Sequence, residues 1–101
     1  MISTFSFLKL IQTKPPFVEY ETDKTGVFIR MFDSAYPDFL YQWHKDDEDR
    51  DIEILEGKGW QMQFDDELPF ELVKRDHIFI KRHRIHRIHK GTTDLKIKIN
   101  G

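Results

Sequence analysis

From residue 60 onwards apolar and polar positions alternate, with Trp60, Met62 and Phe64 separated by Gln61 and Gln63. A period of two puts alternate side chains on opposite faces of an extended chain, so the segment predicts a strand with one face in a core and one in water. Leu95, Ile97 and Ile99 repeat the pattern, with Lys96, Lys98 and Asn100 on the other face. Shorter apolar runs lie at residues 27–32, 52–55, 70–73 and 78–80. The polar connection over residues 65–69 predicts a β-hairpin between the runs that flank it. Residues 5–10 carry apolar side chains on both faces, and the segment ends at Pro15-Pro16, because proline has no N–H to give to a ladder. Residues 17–22 alternate weakly, residues 23–26 read as a turn and residues 33–38 as a loop. The aromatic stretch over residues 39–44 reads as a strand. Between residues 82 and 90, His83, His86 and His89 recur at i+3, as do Ile85 and Ile88, so a helical turn stands there as the alternative to a strand.

Short strands with turns every ~8–12 residues predict an all-β sandwich or barrel. The 101 residues fit one compact domain. Within it, residues 1–16 form an N-terminal strand or arm and residues 17–101 the barrel. The arm has more apolar surface than a free tail needs, which suits pairing with the edge of a neighbouring barrel in a homodimer.

Composition narrows the function. The chain has no cysteine, so it has no disulfide framework and no thiolate to act as nucleophile or ligand. It has neither a signal-peptide pattern nor a stretch near the ~20 apolar residues of a membrane helix, and a soluble cytoplasmic protein is the expectation. Charged residues make up 34% of the chain, yet the net charge is only -2, which argues against an obligatory polyanion binder. Acidic residues cluster over residues 46–56 and basic ones over residues 74–90, read as two solvated rims. The basic run holds only Phe79 as an aromatic, whereas single-strand binders interleave stacking rings with charge; nucleic acid is not an expected partner. No serine lies in an elbow motif, and Gly57-Lys58-Gly59 is a turn rather than a phosphate loop.

The stretch Trp43-His44-Lys45-Asp46-Asp47-Glu48-Asp49, followed by Ile52-Glu53-Ile54-Leu55-Glu56-Gly57, resembles the first motif of the cupins. Leu72-Val73-Lys74-Arg75-Asp76-His77-Ile78-Phe79-Ile80, followed by His83-Arg84-Ile85-His86-Arg87, resembles the second. The resemblance spans residues 17–99, with both motifs in order. It implies a double-stranded β-helix, a jelly-roll barrel around a cavity that often holds a metal. Small-molecule binding, isomerisation and dioxygenation all occur on this fold, so the resemblance does not choose among them.

Counting back from Gly57, His44 stands at the first motif histidine, Asp46 at the second and Arg50 where the glutamate is expected. His86 matches the histidine of the second motif, and His83 stands either at the cavity or on the rim. Arg75 replaces the usual turn glycine, at a position where glycine costs less. Arg82 stands where a small residue is common. If residues 39–46 are extended, His44 and Asp46 share one side of the sheet, and His86 completes a set of two imidazoles and one carboxylate. Such a set suits Fe(II) and also accepts Mn, Ni or Zn. His44-Lys45-Asp46 with a distant His86 is similar to the metal signature of 2-oxoglutarate oxygenases too, with Lys96 placed on the following strand to hold a carboxylate. Arg50, if it points inward, opposes a divalent ion and favours an anionic small molecule. Trp43 and Trp60 are expected in the core or the cavity wall. The competing reading is a non-catalytic interaction module with a degenerate metal site.

Overall fold

The computed structural model describes residues 8–14 and 16–100. Its strands are β1 (Leu8–Lys14), β2 (Phe17–Thr22), β3 (Val27–Phe32), β4 (Arg50–Glu56), β5 (Gln61–Phe64), β6 (Phe70–Glu71), β7 (His77–Ile80), β8 (His86–His89) and β9 (Leu95–Asn100). All pair antiparallel. One sheet has the order β1-β2-β3-β9-β4-β7 and the other the order β6-β5-β8. The last strand is thus inserted between β3 and β4, and the two sheets face each other across one core. This is a double-stranded β-helix.

Register explains which side chains fill it. Across β3 and β9, Phe32 pairs with Leu95, Arg30 with Ile97 and Phe28 with Ile99. Ile99 and Ile97 in turn pair with Ile52 and Ile54 of β4. Arg50 pairs with Ile80 of β7. Each of these pairs shares a face of the sheet, so one inward stripe runs across four strands. The small sheet answers with Trp60, Met62, Phe64, Leu72 and Ile88, all buried. The hairpin over residues 65–69 forms as expected, with Met62 opposite Phe70. Its tip is exposed, and the rings of Phe64 and Phe70 stack at 6.1 Å.

Trp60 anchors one end of the core. It is fully buried, and its indole N–H donates to the Thr93 carbonyl at 2.5 Å. Its ring meets Tyr41 edge-on at 5.3 Å. The chain turns tightly beside it: a Cβ on Gly91 would lie 2.2 Å from the Lys58 carbonyl oxygen, so only glycine fits there. Arg75 takes a positive φ of 79°, the strained turn conformation the sequence implied.

One expectation is corrected, and one alternative is decided. Residues 39–44 do not form a strand. Pro37 opens a single 3-10 turn over Asp38–Leu40, and the chain then crosses between the sheets. Tyr41 is buried there, with its hydroxyl donating to the Asp33 carbonyl at 2.5 Å. That anchor holds the segment across the gap rather than along a neighbour, and only His44 makes a β-bridge, to His86. Over residues 82–90 the strand prevails over the helical turn: β8 starts at His86, after a turn in which His83 has φ 67°.

The N-terminal arm, over its described part, is β1. It pairs with β2 of the same chain, with a register shift between Leu10 and Gln12. The expected apolar positions Ile2, Phe5 and Phe7 lie outside the described residues. No helix of the described residues is long and apolar enough to cross a membrane.

Candidate metal centre

The open end of the core is a cavity of about 430 Å³. That volume lies within the range of ~300–1,000 Å³ usual for small-molecule sites. Ile52, Ile80, Ile97 and Ile99 form one wall and Met62, Leu72 and Ile88 the other. Its polar lining comes from His44, Asp46, His86, Arg50 and Arg30, with Gln42 and the ring of Tyr41.

Backbone pairing brings the first three together. His44 N–H donates to the His86 carbonyl and His86 N–H to the His44 carbonyl, both at 2.9 Å. The next turn is pinned as well, since His83 N–H donates to the Asp46 carbonyl at 2.8 Å. Asp49 accepts from the Arg82 N–H, also at 2.8 Å. The acid-rich loop is thereby laced to the turn before β8. One potential ligand atom from each of His44, Asp46 and His86 lies within 4.8 Å of the others. His86 Nε2 stands 3.5 Å from an Asp46 carboxylate oxygen, close to the spacing of adjacent ligands on one ion with bonds of ~2.1 Å.

The donor chemistry fits a metal. His44 Nδ1 lies 3.1 Å from the Gln42 carbonyl and His86 Nδ1 lies 2.7 Å from the Arg84 carbonyl. A carbonyl oxygen only accepts, so each Nδ1 donates, and in the neutral imidazole Nε2 is then the nitrogen with the free lone pair. Metal-binding histidines are held in this way, with the second ring nitrogen fixing tautomer and orientation. Burial, and then the neighbouring His44 ring 4.3 Å away, push His86 below the usual imidazole range; its bond to Arg84 and the Asp46 carboxylate push the other way. Burial prevails, and His86 is neutral near pH 7, the form that ligates.

The structure separates the other candidates. Arg50 and Trp43 line the cavity, with Trp43 45% exposed at its mouth. Trp60 does not line it, because its ring is sealed behind Tyr41 and Phe32 in the core. His83 is a rim residue: its side chain is exposed and reaches Asp47 at 3.8 Å. Lys96 corrects the oxygenase-like expectation. Leu95, Ile97 and Ile99 of β9 face the cavity, so Lys96 between them faces away. Its neighbours in register are Met31 and Glu56, on the outer side of the sheet.

Two cavity residues had no distinct signal in the sequence. Tyr41 sits in an aromatic stretch that looked like a strand. Arg30 lies mid-strand, and only register shows that it faces inward. It donates to Glu19 from Nε at 3.0 Å and from Nη2 at 2.6 Å, and its guanidinium stacks over Phe17. The cation at Arg30 is therefore neutralised. Arg50 has no such partner among the described residues.

Two arginines of the basic run are likewise matched on the rim. Arg84 bonds Glu67 at 2.6 Å and covers the Phe64 ring, and Arg87 bonds Asp38 at 3.0 Å.

Comparison with known structures agrees with this architecture. Hydroxypropylphosphonic acid epoxidase from S. wedmorenis superposes with a TM-score of 0.70 over the whole chain, at 15% identity. A cupin superfamily protein from Desulfitobacterium hafniense DCB-2 gives 0.59 over 99% of the chain, at 16% identity, and spans 82% of that protein. A cupin-2 domain protein from Shewanella frigidimarina gives 0.55 over 97%, also at 16% identity, and spans 81% of that protein. This chain has the cupin fold. It spans 59% of the length of the epoxidase, which has also been determined in an Fe(II) form. No protein-family model matches the sequence, and no curated protein is similar to it. His44 and Asp46, expected in the first motif, and His86, expected in the second, are the three that meet here. The position of the motif glutamate is held by Arg50.

Proposed function

We propose that this cupin binds a small molecule in its cavity beside a divalent metal ion held by His44, Asp46 and His86. The observation that carries the reading is the pair of Nδ1–H bonds to the Gln42 and Arg84 carbonyls. They turn both Nε2 atoms toward one carboxylate, an arrangement that water solvating a chance cluster does not require. Three protein donors leave coordination positions for a ligand, as in sites that act on small molecules rather than sites that only brace a fold. The donor set suits Fe(II) best and accepts Mn, Ni or Zn. When bound, the ion would supply Lewis-acid or redox chemistry to a ligand oxygen. The residues themselves hold it, keep a proton off each Nε2, and surround the ligand with apolar wall.

The test is metal analysis of protein purified without a histidine tag, before and after reconstitution with Fe(II), Mn(II), Ni(II) and Zn(II). Stoichiometric uptake that disappears in His44→Ala and in His86→Ala is expected. A wild-type protein that takes up none of the four ions would sink the reading.

A homodimer is a second, compatible reading. β1 is an edge strand that pairs only with β2 among the described residues, and it exposes Leu8, Leu10 and Ile11. An uncovered edge with apolar side chains suits antiparallel pairing with its own copy. Sedimentation that finds only monomer at high concentration removes it.

A further inference from the structure

Charge in the cavity selects the ligand. Arg30 is cancelled by Glu19 at 2.6 Å. Histidines that ligate an ion do so as neutral imidazoles and add no charge, and Asp46 contributes one negative charge. Arg50 contributes one positive charge with no carboxylate beside it among the described residues. A divalent ion in this setting leaves the cavity with two uncompensated positive charges. The apolar walls lower the screening of that charge on the inner side of the partly open cavity, so an anionic ligand is favoured there. The walls also limit the ligand's body. Ile80 and Ile52 flank Arg50 on the inward face of β7 and β4, and Ile99 lies beside Ile52. They offer no hydrogen bonds to a polyhydroxylated body, and the Tyr41 hydroxyl is already committed to Asp33.

We propose that the ligand is a small organic dianion with an apolar spacer: a carboxylate held by the Arg50 guanidinium and a second anionic oxygen group directed to the ion. A guanidinium presents paired donors that match the two oxygens of a carboxylate. Arginine at the expected glutamate position thus exchanges a ligand for the metal for a ligand for the substrate. This inference rests on the metal-centred reading above and adds the chemical class of what binds there.

The experiment is isothermal titration calorimetry on Mn(II)-loaded wild type, Arg50→Gln and Arg50→Lys. The probes are the linear dicarboxylates from malonate to adipate, with butyrate and 1,5-pentanediol as monoanionic and neutral controls. At least one dicarboxylate should bind the wild type ten or more times tighter than butyrate. Arg50→Gln should lose that margin while binding Mn(II) at least as tightly as the wild type, since a cation beside the site is gone. Arg50→Lys, which keeps charge but not the fork, should keep part of the margin, and it carries the test if the glutamine variant does not fold. Normal Mn(II) uptake with no dicarboxylate preference, or with a preference that Arg50 variants leave intact, overturns the inference and leaves the metal reading standing. A wild type that binds no Mn(II), Fe(II), Ni(II) or Zn(II) overturns both.

Discussion

β5 and β8 lie side by side, and their two ends have opposite characters. At one end Trp60 is sealed under Tyr41 and Phe32, with its indole N–H satisfied by Thr93. At the other, Phe64 pairs with His86, and the imidazole reaches a charged, partly open cavity. The same sheet therefore carries a packed floor and a chemical mouth. Floor residues contribute through the area they remove from water and the neighbours they touch, so changing them should cost stability. Mouth residues contribute through lone pairs and charge, so changing them should cost binding.

Trp60→Ala should give the largest effect. Removal of a fully buried aromatic costs about 3–5 kcal/mol. In a domain of this size each kcal/mol lowers the melting temperature by about 4–8 °C, so thermal denaturation should show a fall of tens of degrees or no folded protein. A fall of only a few degrees would break the distinction between floor and mouth. His44→Ala is the mirror experiment. His44 is exposed, so the metal-free melting temperature should move little, by the equivalent of about 0.5 kcal/mol. Metal affinity should fall about 100-fold or more, since loss even of an outer-sphere partner costs about 10–100-fold. Calorimetry and melting of one preparation would separate the two effects.

Acid and alkali should each weaken the fold through different buried groups. His86, and His89 at the opposite end of β8, have lowered values in the fold, mainly through burial. The unfolded chain then binds more protons than the folded one as pH drops below ~6.5. Their stabilisation is complete above that value and is lost as pH falls through their folded values. Metal-free protein should melt at a lower temperature at pH 5.5 than at pH 7.5, and His89→Gln should flatten part of that slope. Tyr41 works in the other direction. Burial, and then the carboxylates of Asp33, Asp94 and Asp38, push its hydroxyl up to about 12. Its stabilisation is present below ~10 and is lost between there and about 12. Tyr41→Phe should remove that alkaline loss, as followed by fluorescence-detected unfolding from pH 9 to 12. A flat acid limb would show that His86 is not held neutral by burial.

The smallest expected change lies outside both ends. Arg75 has φ 79° and an exposed side chain, so Arg75→Gly relieves backbone strain without removing packing. It should raise stability by up to about 1 kcal/mol, read as a modest rise in melting temperature. A drop would mean that the arginine side chain contributes more than the turn costs.

The floor was legible in the sequence because a strand's period of two is a local property. Trp60, Met62 and Phe64 declare their face by alternation, and so do Leu95, Ile97 and Ile99. The hairpin over residues 65–69 needed only its own turn residues. Motif order was legible too, and it brought His44, Asp46 and His86 into one hypothesis although the outer two lie 42 positions apart. The extended segment supposed to align His44 with Asp46 does not exist. A crossing segment anchored by Tyr41 and a single bridge to His86 achieve the same meeting.

By itself, then, the chain's pattern determined that it is all-β, where its strongest strands run and which residue types could share a site. Tertiary structure alone decided that Arg30 faces the cavity but is cancelled by Glu19, that Arg50 faces it with no carboxylate partner among the described residues, that Trp60 is sealed away, that His83 stays on the rim and that Lys96 faces away from the cavity. The physical reason is that alternation fixes relative sides within one strand. Which side is inside, and which charge meets which, depend on register with strands distant in sequence, and no local window contains that information.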